Sequence, residues 1–151
     1  MEYEGEFLND EKNGKGKEYN SKGNLIYEGE YLNGLRNGKG KQYNDDGILI
    51  YNGEYLDGIK EGKGKEYDSQ GNLIYEGGYK EGQKNGKGKE YDKNNNSRYE
   101  GEFYEGLRSG IGKYYVNGKL VFEGRYFQGE KDGEFKEYNN KGKLICKRKI
   151  Y

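Results

Sequence analysis

Apolar and polar side chains alternate along two short segments of this chain, and the pair of segments recurs every 24 residues. In the copy from Tyr27 to Ile50, YEGEYLNGLRNGKGKQYNDDGILI, the alternation is clearest in YEGEY and in GKGKQY. A period of two predicts β-strands, and the N-G and D-D-G sequences between the segments are typical of turns. The pattern therefore predicts a meander of antiparallel hairpins, with one hairpin in each repeat.

The repeat recurs along nearly the whole chain, with about six copies that start at residues 3, 27, 51, 75, 99 and 122. A fixed period of this length is typical of a stack of similar units that contact only their neighbours. We expect one all-β domain over residues 1–151, built as a single elongated, twisted antiparallel sheet of stacked hairpins. Residues 143–151 are expected to form a capping strand, because Lys147, Arg148 and Lys149 disfavour pairing at the sheet edge.

Charges within each repeat predict how the two strands of a hairpin are aligned. Placing Tyr31 opposite Gly38 brings opposite charges together, with Glu30 facing Lys39 and Glu28 facing Lys41. The same alignment pairs Arg125 with Glu134 in the sixth repeat, where both charges have changed sign. The predicted sheet therefore carries its charged side chains on one face.

The other face of the predicted sheet carries aromatic rings and glycines, such as Tyr27, Gly29 and Tyr31. Rings can lie over glycines of a neighbouring strand, which accounts for glycine inside strands. A single-layer sheet has no second layer to cover such a face, and exposed apolar area usually marks an interaction site. The predicted partner-binding residues are Tyr27, Tyr31, Tyr51, Tyr55, Tyr75, Tyr79, Tyr99 and Phe103. The alternative is that these rings pack only on one another and on the glycines of the sheet.

Composition narrows the classes of function. Basic and acidic residues balance at 27 each and only 30% of residues are hydrophobic, but the chain has 28 Gly and 18 Tyr. Composition alone would favour disorder, whereas the repeat and the large area of the Tyr rings favour a folded sheet. The neutral balance argues against a nucleic-acid partner, because proteins that bind nucleic acids carry a basic excess.

The chain lacks the residues that common catalytic and metal sites use. His is absent and Cys146 is the single cysteine. An internal disulfide is therefore excluded, and the chain lacks the residues that usually bind zinc or act as a general base. We expect no enzyme activity, no metal and no cofactor. No apolar run is long enough to span a membrane, and MEYEGEF does not resemble a secretion signal. These features predict a cytoplasmic protein, alone or associated with a membrane surface or the cytoskeleton.

A basic residue fills one position in the first loop of every repeat. Stacking would align these cations along one edge of the sheet, where acidic lipid headgroups could bind them at about 1 kcal/mol each. The alternative, which the neutral net charge favours, is that each cation only secures its own loop or pairs with a nearby acid. The candidate headgroup residues are Lys12, Arg36, Lys60, Lys84, Arg108 and Lys131.

The strings YEGEY or YEGEF, followed by a glycine, a basic residue and N-G-K-G-K, resemble the MORN repeat family from Tyr3 to about Leu144. The usual tryptophan or tyrosine position holds Tyr or Phe here, and the usual His-Gly is replaced by pairs such as Asn37-Gly38. The spacing also resembles bacterial MORN-variant repeats, some of which are labelled as antitoxins. The resemblance implies a sheet of stacked hairpins with a shallow aromatic groove, in a family of scaffolds that bind a helix or an extended segment of another protein, or self-associate. Phospholipid binding has been proposed for several members, and the module is not known as a catalyst.

These observations together predict a non-catalytic scaffold that binds a protein segment, or another copy of the chain, on a groove lined by Tyr and Gly. Two alternatives remain open. One is a phospholipid-binding module that uses the loop cations, and the other is an antitoxin-type protein that masks a partner toxin.

Overall fold

The structure is a computed structural model that describes residues 2–149. Every regular element in this range is a β-strand, and none of the described elements is a helix of the length and hydropathy that a membrane crossing requires. The strands are β1 (Glu2–Leu8), β2 (Glu11–Tyr19), β3 (Leu25–Leu32), β4 (Leu35–Tyr43), β5 (Leu49–Leu56), β6 (Ile59–Tyr67), β7 (Leu73–Lys80), β8 (Gln83–Asp92), β9 (Ser97–Tyr104), β10 (Leu107–Val116), β11 (Lys119–Phe127), β12 (Glu130–Tyr138) and β13 (Leu144–Lys149).

Hydrogen bonds connect the thirteen strands in chain order into an antiparallel sheet, which confirms the predicted meander of hairpins. The contacts divide the chain into two compact units, one built around β1–β6 and one around β8–β13. The strand β7 is divided between them: Ile74–Gly78 belong to the second unit, whereas Leu73 and the segment Tyr79–Gly82, which continues into the turn after β7, belong to the first. Each unit is described by itself below.

Two kinds of turn connect the strands. The first is a two-residue turn such as Asn33-Gly34, where both residues have positive φ, 50° and 82°. This is the type I′ geometry that matches the twist of a hairpin and favours Asn-Gly. In the second kind, the Asn20 side-chain oxygen accepts hydrogen bonds from the backbone N–H groups of Lys22 and Asn24, each at 3.0 Å. The turn residues at both edges of the sheet therefore follow from the sequence.

The predicted alignment of the β3–β4 hairpin is correct over one half and wrong over the other. Between β3 and β4, Glu28 pairs with Lys41 as predicted, but Tyr31 pairs with Arg36. Between these two pairs β4 has four residues and β3 has two, so β4 contains a bulge. Gly38 lies in the bulge with a φ of 80°, which a glycine adopts without strain. Glu30 therefore does not pair with Lys39 within its own hairpin.

The bulge gives the second glutamate of YEGEY a backbone partner. The Glu6 carboxylate accepts a hydrogen bond from the Lys15 backbone N–H at 3.0 Å, and Glu54 accepts one from the Lys63 N–H at 3.1 Å. The predicted charge pairing occurs between hairpins instead: Lys15 pairs with Glu30 across β2 and β3.

The sixth repeat requires the same correction. Arg125 pairs with Asp132 rather than with Glu134, and their side chains form an ion pair at 3.4 Å. The last strand, β13, pairs with β12 and places Arg148 opposite Phe135. The predicted capping strand over 143–151 includes residues 150 and 151, which lie outside the described residues.

The assignment of the aromatic rings and the strand glycines to one face is confirmed. The Tyr27 ring lies over the glycines of its own hairpin, so that a Cβ added to Gly29 would lie 2.5 Å from the Tyr27 hydroxyl oxygen. Tyr51 covers Gly53 and Gly64 in the same way. Glycine recurs inside these strands because a ring occupies the space of a side chain.

Candidate functional site

The side of the sheet that carries the rings, here called the aromatic face, is packed with edge-to-face aromatic pairs. In the first unit Tyr27 contacts Tyr31 of its own repeat and Tyr55 of the next repeat, with ring centroids 5.4 Å apart in both pairs. In the second unit, Tyr99 contacts Phe103 at 5.3 Å and Tyr126 at 5.2 Å. Such pairs stabilise a fold by about 0.5–1.5 kcal/mol beyond their buried area.

The eight rings predicted to bind a partner are all buried within the chain. Their exposed fractions are 0% for Tyr27, Tyr51, Tyr75 and Tyr99, 3% for Phe103, 4% for Tyr31 and 5% for Tyr55 and Tyr79. A partner that leaves this packing in place would contact almost none of their surface. Their assignment to an interface stays a prediction, and their position in the structure is that of core residues.

The loop cations predicted to meet lipid headgroups cover the aromatic face. In the first unit the Arg36 guanidinium lies 4.0 Å from the ring centre of Tyr27, and the Lys60 ammonium lies 4.2 Å from that of Tyr51. The other four make the same contact, namely Lys12 over Tyr3, Lys84 over Tyr75, Arg108 over Tyr99 and Lys131 over Phe122. A cation over a ring contributes about 0.5–2 kcal/mol, depending on how far it is removed from water.

A buried carboxylate completes this arrangement, and the sequence did not identify it as a site. Glu18 is 6% exposed. Its carboxylate accepts a hydrogen bond from the Tyr31 hydroxyl at 2.7 Å and forms ion pairs with Arg36 at 3.2 Å and Lys12 at 3.6 Å. The residue before the last Tyr of GKGKxY fills the same position in other repeats: Gln42 accepts from Tyr55, Glu66 accepts from Tyr79, and Glu90 pairs with Arg108. The two-residue alternation of the strand is the signal that could have placed it on the aromatic face.

The surroundings of Glu18 favour its charged form. Burial raises the pKa of this carboxyl, but the hydrogen bonds from Arg36 and Tyr31 and the charges of Arg36 and Lys12 outweigh burial and leave the pKa below its ordinary value. A carboxyl whose pKa is lowered on folding stabilises the folded state above its unfolded pKa. That contribution is lost as the pH falls through its folded pKa.

We expect Glu18→Gln to lower the free energy of unfolding by about 1–2 kcal/mol at neutral pH. The amide can still accept from Tyr31, as Gln42 does from Tyr55, but it leaves the charges of Lys12 and Arg36 without their acid. Urea unfolding of both proteins between about pH 7 and pH 3 would test this, and the difference should shrink as the pH falls through the acidic range. A difference that stays constant with pH would show that the charge of Glu18 does not matter.

The opposite side of the sheet, here called the groove face, carries the charged side chains. Across β1–β5 of the first unit it forms a shallow groove of about 690 Å³. Acidic and basic side chains alternate along it, with glycines of the same strands between them. The lining residues are Glu4, Gly5, Lys15, Gly16, Lys17, Glu28, Gly29, Glu30, Lys39, Gly40, Lys41 and Asn52.

One side of this groove is fixed by a tyrosine hydroxyl. Tyr43 donates a hydrogen bond to Glu28 at 2.7 Å, and the Lys41 ammonium lies 3.5 Å from the same carboxylate. The bond from Tyr43, together with Lys41, lowers the pKa of Glu28 in spite of partial burial. Burial and Glu28 in turn raise the pKa of Tyr43 to about 12, so Tyr43 stays a neutral donor. The groove therefore presents fixed charges of both signs at neutral pH.

Exposed aliphatic side chains flank the two-residue turns, and the sequence did not identify these as a surface. In the first unit they are Leu8, Leu32, Leu35, Leu56 and Ile59, here called the tip ridge, and each is 47–58% exposed. In the second unit Tyr104, Leu107 and Phe127 occupy equivalent positions and are 50–61% exposed. The recurring L-N-G-L and L-D-G-I strings were the available signal, because a two-residue turn leaves both flanking residues in the strands.

The family comparison agrees with this repeated geometry. The MORN repeat model matches five consecutive segments, residues 3–25, 27–48, 51–73, 75–97 and 99–119. The chain belongs to the MORN repeat family. MORN repeats are non-enzymatic modules found in repeat proteins that bind membranes or other proteins. The hairpin that begins at Phe122 lies beyond the matched segments but has the same cover, with Lys131 over its ring at 4.0 Å. A search of curated proteins found no match.

Within residues 2–149, no cluster of three or more His, Cys, Asp or Glu side chains is placed to hold a metal ion. The carboxylates of the aromatic face are paired with cations and tyrosine hydroxyls of the chain itself. What the MORN sheet offers to another molecule in the described structure is the groove face and the tip ridge.

Proposed function

We propose that this MORN repeat chain is a non-catalytic scaffold that binds a protein partner on its groove face. The observation that carries the proposal is the contrast between the two faces. The rings of the aromatic face are at most 5% exposed over the eight predicted positions, whereas the groove face leaves a row of charged side chains open to solvent. A partner can therefore reach the groove without disturbing the packing that holds the fold.

The chemistry of the groove supports a polypeptide as the partner. Carboxylates and ammonium groups alternate along its centre. Such an array of charges contributes more to the direction and register of a bound segment than to its affinity. An extended or helical segment fits a shallow groove that crosses five strands.

Charge reversal in the groove tests the proposal. Lys15 and Lys39 line the groove and are exposed, so Lys15→Glu/Lys39→Glu should cost at most about 1 kcal/mol of stability for each new pair of facing glutamates, with Glu30 and Glu54, and leave the protein folded. A circular dichroism melt checks this. We expect this variant to lose most of the proteins that the wild-type chain captures from a lysate, as measured by quantitative mass spectrometry. The matched control is Lys22→Glu/Lys141→Glu, which makes the same change of net charge at two exposed turns and should capture the wild-type set.

Two other results would count against the groove. Equal capture by the groove variant and its control would place the interface elsewhere. If Tyr31→Ala and Tyr55→Ala instead abolish capture while thermal unfolding shows that they remain folded, the partner uses the aromatic face, as the sequence first indicated.

The two alternatives predicted from the sequence, lipid binding and toxin masking, gain no specific support from the geometry. Lipid binding through the loop cations would require Arg36 and its equivalents to leave their rings and carboxylates. Sedimentation with anionic vesicles at low and high salt addresses this alternative directly, because attachment through charge weakens as salt is added.

A further inference from the structure

The tip ridge of the first unit is an ordered apolar surface that the groove does not account for. Its side chains are about half exposed, although they flank some of the tightest turns of the fold. Leu32 also lines a smaller depression beside Glu30 and Lys15, so the ridge borders the groove face. Aliphatic side chains that recur at one edge in successive repeats form a row rather than scattered exposed residues.

Hydrogen bonds between successive turns hold this row in place. The Gly34 N–H donates to the Lys12 carbonyl at 2.9 Å, the Gly58 N–H to the Arg36 carbonyl at 2.8 Å, and the Gly82 N–H to the Lys60 carbonyl at 3.0 Å. Each turn is thus fixed to the strand that follows the previous turn. The backbone that carries the ridge is therefore hydrogen-bonded from one turn to the next.

The charges around the ridge are mainly acidic. In the turns and at the strand ends beside them, the exposed acids are Asp10, Glu11, Asp57 and Glu81, against a single exposed base, Lys80. Within residues 2–149 none of these four carboxylates forms an ion pair, and the neighbouring cations Lys12 and Arg36 are already paired with Glu18. The ridge therefore combines exposed aliphatic groups with unpaired negative charge.

Exposed aliphatic groups beside unpaired negative charge favour one class of binding partner over the others. A second copy of the ridge would bring carboxylates against carboxylates, and an anionic bilayer would be repelled in the same way. A basic segment with apolar side chains on one side satisfies both features of the surface.

The spacing of the turns favours a helix. Equivalent turns are two strands apart, which is about 10 Å. Seven residues of an α-helix rise about 10.5 Å. A helix laid along the ridge would therefore place one apolar residue per heptad at each successive turn, with little mismatch over the three apolar turns of the first unit.

We infer that the tip ridge, Leu8, Leu32, Leu35, Leu56 and Ile59, docks a basic amphipathic helix of a protein partner with one apolar contact per heptad. This presupposes the scaffold function proposed above and adds the chemistry and the periodicity of what it binds. The flanking Lys or Arg residues of the helix would face Asp10, Glu11 and Asp57.

A synthetic peptide tests the match directly. The probe is a helical peptide of about 21 residues with one leucine per heptad flanked by lysines. One control peptide has glutamates in place of the lysines, and a second has the same composition with the leucines moved out of heptad spacing. Fluorescence anisotropy should show binding of the first peptide that weakens at about 0.3 M salt, and at least about tenfold weaker binding of both controls. Absence of binding by the heptad peptide, or equal binding of any control, overturns the inference.

Variants of the chain locate the site. Leu32→Gln/Leu56→Gln should weaken binding of the heptad peptide by about tenfold or more, and Asp10→Asn/Asp57→Asn should reduce its salt dependence. Ile111→Gln, which removes an exposed aliphatic side chain away from the turns, should leave affinity unchanged. Circular dichroism melts of all variants keep folding separate from binding. Unchanged affinity in the folded leucine variant rules the ridge out.

The two proposals fail in distinguishable ways. If the groove variant loses lysate capture but the heptad peptide does not bind, the scaffold function is supported and the docking of a helix on the tip ridge is excluded. Binding of the chain to vesicles that contain anionic lipid, abolished by Leu32→Gln/Leu56→Gln, would replace the helix by a membrane surface. A leucine-dependent dimer in light scattering would replace it by a second copy.

Discussion

Tyr51→Ala is expected to lower the free energy of unfolding by about 3–5 kcal/mol, a large part of the stability of an ordinary domain. The Tyr51 ring is fully buried, lies edge-to-face against Tyr55 and Tyr79, and is covered by the Lys60 ammonium at 4.2 Å. Removing it leaves a cavity over Gly53 and Gly64, which have no side chains of their own to fill it. Equilibrium urea unfolding measures the loss through the transition midpoint and its slope.

Two control variants give the small losses of stability with which the effect of Tyr51→Ala is compared. Tyr51→Phe keeps the ring and removes only the hydroxyl, which donates to the Glu54 carbonyl at 3.2 Å, so a loss of about 1 kcal/mol is expected. Tyr104→Ala removes a tyrosine that is 61% exposed and should change stability by less than about 0.5 kcal/mol. A loss for Tyr51→Ala no larger than that for Tyr104→Ala would mean that the aromatic face is not the core of the fold.

Gly64→Ala is expected to destabilise the protein by about 1–3 kcal/mol, although alanine is normally the better strand residue. A Cβ at Gly64 would lie 2.5 Å from the Tyr51 hydroxyl oxygen and 2.7 Å from two carbons of the ring, closer than the 3.0 Å below which real Cβ atoms are essentially never found. The ring would have to move away from a packed position. Thermal and urea unfolding would give the sign as well as the size of the effect.

A second background shows whether the ring is the cause. In a Tyr51→Leu protein the smaller side chain should leave room above Gly64, so that adding Gly64→Ala costs little or even stabilises by lowering the entropy of the unfolded chain. The coupling between the two sites is read from the double-mutant cycle. If Gly64→Ala has the same effect in both backgrounds, the glycine is required by the backbone and not by Tyr51.

The division of side chains between the two faces could be read from the sequence because it depends only on the alternation of a strand. Tyr27 and Glu28 are neighbours in the chain and point to opposite faces wherever the strand lies. The alignment of the hairpin was harder to predict, since Gly38 and Gly40 look alike in the sequence and have different roles. Gly40 leaves space for the Tyr27 ring, whereas Gly38 has a φ of 80° inside a bulge.

The role of the loop cations depends on where each turn ends and the next strand begins, which the sequence does not determine. Arg36 was assigned to a loop, where a basic side chain would point to solvent. Because the turn Asn33-Gly34 has only two residues, Arg36 already belongs to β4 and lies on the aromatic face over Tyr27. The same boundary hid the tip ridge, since Leu32 and Leu35 are paired strand residues and not loop residues.

The equal spacing of ring contacts within a repeat and between repeats has a consequence for how the array changes length. Tyr27 lies 5.4 Å from Tyr31 in its own repeat and 5.4 Å from Tyr55 in the next, so the boundary between two repeats is packed as closely as the interior of one. Loss or duplication of 24 residues by recombination would rejoin surfaces that already fit, with every ring meeting an equivalent ring and every turn an equivalent carbonyl. The fold thus tolerates changes of length in whole repeats. A change of another size is accommodated where it falls in a turn, as in the fifth repeat, whose 23 residues still place the next ring, Phe122, on the aromatic face.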